Sequence, residues 1–121
     1  MGRNINKPAT KKEIIEKDLR EYALYKEHVY YCYNKGFLNE EGKSMYDKFK
    51  KIDLYLDIEL QNGSVIGKKK LNYIENYVLG KNCKVYINQN EYCTEQEYTD
   101  RTLYNITQAI ADDLYTMIYE L

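Results

Sequence analysis

Residues 10–36, TKKEIIEKDLREYALYKEHVYYCYNKG, decide the fold class. The first four form a capping box, in which the Thr10 hydroxyl accepts the Glu13 amide and the Glu13 carboxylate reaches back to Thr10. Pro8 stands just before it, where a helix has not yet begun. Ile15, Leu19, Tyr22, Val29 and Tyr33 then recur at spacings of four, three, seven and four, which is one helical face, and Ile14 and Tyr25 widen it. Asn34-Lys35-Gly36 supplies the stop, since Gly36 is free to take a left-handed C-cap conformation. The pattern predicts a helix over residues 11–34, about 36 Å long.

The chain beyond it reads the same way. Asn39 followed by Glu40 and Glu41 starts a second helix, with acids where the helix dipole favours them. Met45, Phe49, Ile52, Leu56 and Leu60 repeat at four, three, four and four, and Asn62-Gly63 ends it. Two long helices joined by so short a link lie antiparallel. Residues 64–67 read as a loop. Lys68-Lys69-Lys70 leads a short helix bearing Leu71, Ile74 and Val78 and closed by Gly80. Within 81–93 only Val85, Tyr86 and Ile87 form a compact apolar group. Thr94-Glu95-Gln96-Glu97 matches a second capping box, and Leu103, Ile106, Ile110, Leu114, Met117 and Leu121 follow at helical spacing, predicting a helix over 95–119. The expected architecture is all-α in one domain. It has a flexible tail over 1–9, an antiparallel helical hairpin over 10–63 and a helix-turn-helix-like region over 64–121.

Composition excludes several classes. The chain has 121 residues, 31% of them charged, and a mean hydropathy of -0.74. Its longest uncharged run, residues 103–111, is far short of the roughly 20 residues a spanning helix needs. The first six residues have no apolar core of signal-peptide type. Cys32, Cys83 and Cys93 are odd in number and widely spaced, which argues against a disulfide framework or zinc site and fits a reducing, cytoplasmic setting. His28 is the only histidine. Lys, Asn, Ile and Tyr are abundant and Ala is scarce, a pattern of A/T-rich coding that also accounts for the 15 tyrosines.

Catalytic signals are thin. His28 and Cys32 share a helical face with Glu27 adjacent, yet an (i, i+4) pair within a packed hairpin reads as structural rather than as a nucleophile and base. Asp53/Asp57 and Asp112/Asp113 read as solvated helix faces. No phosphate-cradling glycine loop occurs. Neither an enzyme nor a bound cofactor or metal is expected.

Charge is polarised. Residues 91–121 hold Arg101 alone against Glu91, Glu95, Glu97, Asp100, Asp112, Asp113 and Glu120, a net -6 that leaves +5 on residues 1–90 for the overall -1. A short helix, a compact piece and a capped long helix follow the order of a helix-turn-helix, whose last helix enters the major groove. On that reading Gln96, Thr99, Asp100, Arg101 and Tyr104 line the reading face, Gln96, Thr99, Arg101 and Tyr104 make the base contacts, and Lys68, Lys69, Lys70, Lys81 and Lys84 grip phosphates.

Tyr77-Val78-Leu79-Gly80-Lys81, and then Tyr92-Cys93-Thr94-Glu95-Gln96-Glu97-Tyr98-Thr99-Asp100-Arg101, resemble the C-terminal end of small phage late-transcription regulators of the ArpU/RinA type. The stretch from Thr10 to Tyr25 is similar to the opening helix of such proteins. The resemblance implies a sigma-factor-like helix-turn-helix, duplex DNA as partner, and a phage or mobile element in a bacterial cytoplasm. A second reading rests on charge. Glu95, Glu97, Asp100, Asp112 and Asp113 would form an acidic face that docks in a basic cleft of a host nucleic-acid-handling or defence enzyme and inhibits it. A helical dimer built on the hairpin would serve either role.

Overall fold

The computed structural model describes residues 8–80 and 88–121, and among these there are helices and no strand. Helix α1 spans Lys11–Lys35. Thr10 accepts the Glu13 amide at 3.1 Å, the Glu13 carboxylate accepts the Thr10 amide at 2.8 Å, and Gly36 closes the helix at φ 75°. Helix α2 spans Glu40–Asn62 between the Asn39 cap and Gly63 at φ 66°. The two run antiparallel. Local signals within four residues set these boundaries, which is why the sequence pattern and the structure agree.

The stretch 64–67 is not a loop. Ser64 caps helix α3, Val65–Asn72, by accepting the Gly67 amide at 3.0 Å. A wider π-helical segment, Tyr73–Val78, continues α3. At Gly67 α3 passes close to α2: a Cβ there would lie 2.8 Å from Glu59 Oε2. Helix α4 spans Gln89–Gln96 and helix α5 spans Asp100–Tyr115, with a π-helical turn, Thr116–Glu120, at its end.

Helix α5 lies across α1 and also touches α2 and α3. Its Leu103, Ile106, Ile110, Ala111 and Leu114 join Ile15, Leu19, Tyr22 and Val29 of α1, Phe49, Ile52 and Tyr55 of α2, and Ile74 in one core. Each fully buried Leu, Ile or Phe contributes about 1.5–3 kcal/mol. The predicted stripes are not buried along their whole length. Tyr25 projects from the solvent side in mid-α1, Tyr33 stacks on Tyr46 of α2 with the rest of its ring exposed, and Leu60 and Leu121 lie exposed near helix ends. The core face of α2 runs through Tyr55 and Glu59 instead of Leu60.

Three carboxylates, each met by a lysine and at least one tyrosine hydroxyl, tie the helices together. Asp53 accepts from Tyr22 and, at 2.5 Å, from Tyr30, with Lys26 3.2 Å away, joining α2 to α1. Asp18 accepts from Tyr119 at 2.6 Å and pairs with Lys48 at 3.4 Å, joining α1 to α2 and the C-terminal turn. Asp113 accepts from Tyr55 at 2.8 Å and from Lys70 at 3.0 Å, and Lys70 also meets Glu59 at 2.8 Å, joining α5, α2 and α3. Burial first, and then the neighbouring carboxylate, pushes the Tyr22, Tyr30 and Tyr55 hydroxyls far above their ordinary range and keeps them donors. A fourth group of tyrosines, Tyr73, Tyr77, Tyr92 and Tyr98, packs α4 on the end of α3, with the Tyr92 hydroxyl on Asn72. Many of the tyrosines thus act as structural links between helices.

Candidate functional site

The long C-terminal helix does not begin at Thr94. That residue lies inside α4, where its hydroxyl donates to the Asn90 carbonyl at 2.9 Å, while Asn88 caps α4 by accepting the Glu91 amide at 3.0 Å. Glu97 then turns left-handed, at φ 60°, and ends α4. Thr99 caps α5, accepting the Thr102 amide at 3.1 Å. The predicted uninterrupted rod over 95–119 is therefore two helices joined by a three-residue turn, 97–99. Two threonines five residues apart both satisfy an N-cap pattern; Thr94 falls inside α4, whose Tyr92 is buried among Tyr73, Tyr77 and Tyr98, and Thr99 takes the cap.

The boundary shift regroups the proposed reading residues. Gln96 is half-buried at the end of α4, and the Thr99 hydroxyl is spent on the cap and on a 2.9 Å contact with Thr102. Arg101 and Tyr104 are exposed on the first turns of α5, and the Lys12 ammonium of α1 sits 4.9 Å from the Tyr104 ring centre. Below the exposed Arg101, the exposed Asn105, the half-buried Gln108 and the exposed Asp112 follow at i+4, i+7 and i+11 on one side of the helix. Asn105 and Gln108 lie outside the set of base contacts expected from the sequence. The pattern of buried Leu103, Ile106 and Ile110 was enough to find them, since the residues opposite that stripe face solvent. Arg101 and Asn105 have no side-chain partner among the described residues, and Gln108 donates to Asp112 at 3.2 Å.

The proposed phosphate contacts do not stay together. Lys68 is exposed on α3, and Lys69 is half-buried with its ammonium 5.8 Å from the Tyr98 ring centre, beside the α4–α5 turn. Lys70 is turned inward and only 7% exposed, held by Glu59 and Asp113, and is not available to a phosphate. Burial by itself would lower the Lys70 pKa. Its hydrogen bonds to the two carboxylates and their charges outweigh that and raise it, so the group stays an ammonium. Lys81 and Lys84 lie outside the described residues.

The proposed acidic face is divided too. Glu95, Glu97 and Asp100 are exposed around the turn, whereas Asp112 lies about 18 Å further along α5. Asp113 is only partly exposed and is already held by Lys70 and Tyr55.

His28 Nε2 and Cys32 Sγ are 3.6 Å apart on the exposed side of α1. A cavity of about 530 Å³ lies elsewhere, between α1, the end of α3 and α5, with Ile15, Leu19, Val78 and Ile110 in its walls and Lys12, Glu16 and Arg20 among its polar residues. Burial pushes the Cys93 thiol up, as does nearby Asp100, which makes it a poor nucleophile. Among the described residues no cluster of His, Cys, Asp or Glu is arranged to hold a metal, and no helix is long and apolar enough to cross a membrane. No family model matches the chain, and no curated protein or solved structure matches it.

Proposed function

We propose that this chain is a DNA-binding transcriptional regulator of phage or mobile-element type, which reads duplex DNA with the solvent face of α5. The observation that carries the reading is the row of Arg101, Asn105 and Gln108 on one side of a helix whose other side is locked into the core. Arg pairs bidentately with guanine, and Asn or Gln with adenine, from within the major groove. A short helix, a three-residue turn and this helix stand in helix-turn-helix order. Lys69 beside Tyr98 and Lys12 beside Tyr104 flank the start of α5, where a reading helix needs phosphate contacts, and Lys68 is exposed on the neighbouring α3. Glu97 and Asp100 repel phosphate at the leading tip, so the reading falls on the row that begins beside them at Arg101 and continues through Asn105 to Gln108. Three lysines give a shallow salt dependence, with a log–log slope of about -3.

The test is fluorescence anisotropy of a labelled random duplex at about 50 mM salt, where phosphate contacts are strong. Wild type binds, and Arg101→Ala with Asn105→Ala loses the preference for any site enriched by selection from random sequence. No binding at that salt, or equal preference in the variant, refutes the proposal. The exposed acids at the turn favour a second reading, as a protein that enters a basic cleft of a host enzyme. Glu97→Lys with Asp100→Lys separates the two. It strengthens duplex binding if α5 reads DNA. If the acids are the docking surface, wild type does not bind duplex at all.

A further inference from the structure

The solvent side of α1 carries an apolar stripe that the described helices leave exposed. Leu24 is 72% exposed, Tyr25 47% and Tyr31 57%, with exposed His28 and half-buried Cys32 among them. These positions stand at i, i+1, i+4, i+7 and i+8, the spacing of a seam between two helices. Ile15, Leu19, Tyr22 and Val29 already fill the core from the opposite side of α1, so among the described residues the stripe takes no part in the core. Its ends are oppositely charged: Glu21 lies seven residues before His28 and Lys35 seven residues after it.

We propose that this face binds a second copy of the chain, α1 antiparallel to α1, about a two-fold axis through His28. A two-fold contact must be self-complementary, because each patch meets itself reversed. In this register Glu21 faces the partner's Lys35 at both ends, Leu24 faces the partner's Cys32, and Tyr25 faces the partner's Tyr31. Other arrangements lose that match. A parallel pairing sets Glu21 against Glu21 and Lys35 against Lys35. A slide of one turn in the antiparallel pairing sets Lys17 against Lys35, and a slide the other way leaves Glu21 beyond the end of the opposing helix. Side chains of this kind and exposure offer roughly 100 Å² each, about 1,000 Å² over both copies, which is at the small end for a specific interface. Association is therefore weak and depends on concentration. The inference rests on α1 alone and is independent of what α5 reads.

Sedimentation equilibrium of the full chain from about 1 to 300 µM tests it. The apparent mass climbs from 14.5 kDa toward twice that value. Leu24→Glu with Tyr31→Glu raises the dissociation constant at least about tenfold. Glu21→Lys and Lys35→Glu each weaken association several-fold, and the two together restore it, because the charge pattern is reversed on both copies. For the register, His28→Cys in a Cys32→Ser chain forms a disulfide dimer on mild oxidation, and Cys32→Ser alone does not. All these sites are on the solvent side, and circular dichroism at 222 nm checks that each variant stays helical. A wild type that remains monomeric throughout overturns the proposal. So does a mass unchanged by Leu24→Glu with Tyr31→Glu, or a charge-swapped double variant that is no better than the singles.

Discussion

Lys70→Met is the substitution that most directly probes how the helices are held. The wild-type ammonium lies 2.8 Å from Glu59 and 3.0 Å from Asp113, with the Tyr55 ring centre at 5.5 Å. Removing it leaves the Glu59 carboxylate, whose side chain is 10% exposed, buried without its cation, whereas Asp113 at 43% is in part solvated by water. A buried pair broken on one side costs about 3–5 kcal/mol, most of it the desolvation of the charge left behind. A domain of this size has about 5–15 kcal/mol in all, so the variant loses a large share. Adding Glu59→Met removes the stranded charge, and the double variant returns most of the loss, since apolar replacement of a whole buried pair is often neutral or better. The assay is urea unfolding at pH 7 followed at 222 nm, with the m-value checked for constancy. The sign with pH also follows. The Lys70 pKa is raised on folding, so its contribution is complete below the ordinary lysine value of about 10.4 and fades only as pH climbs through the raised one. The Lys70 contribution to stability therefore stays constant from neutral pH to about pH 9. A single variant within about 1 kcal/mol of wild type, or a double variant as weak as the single, refutes the argument.

Three further outcomes follow from the same geometry. Burial opposes the charge of Asp53, but hydrogen bonds from Tyr22, Tyr30 and Lys26 outweigh it and hold its pKa below the usual carboxylate value, so its stabilising effect is present above about pH 4 and is lost as pH falls through the lowered value; acid titration of Asp53→Asn shows a shallower loss of helicity than wild type. Thr99→Ala removes the α5 cap and costs about 1 kcal/mol by urea unfolding, while Thr94→Ala, at an exposed site within α4, costs under about 0.5 kcal/mol; the reverse order would restore the longer helix. Glu97→Gly relieves a left-handed backbone at φ 60° and raises the melting temperature, by up to about 1 kcal/mol in stability, and a fall would show that the Glu97 side chain supports the turn.

The sequence by itself determined the all-α class, both helices of the hairpin with their caps, and the apolar face of α5. Those features come from interactions within four or five residues: Thr10 with Glu13, Asn39 with Gly42, and the left-handed glycines at 36 and 63. Only the tertiary structure decided between Thr94 and Thr99 as the cap, because both carry the local signal, and Thr94 lies within α4, which is packed through Tyr92 against Tyr73 and Tyr77. Only it separated Lys70 from Lys68 and Lys69, three identical side chains in a row of which one meets Glu59, eleven residues away in sequence, and Asp113, forty-three away. The site was legible to the same degree. Arg101 and Tyr104 follow from helical period alone, but which charges remain free for a partner depends on which of them the distant helices have already paired.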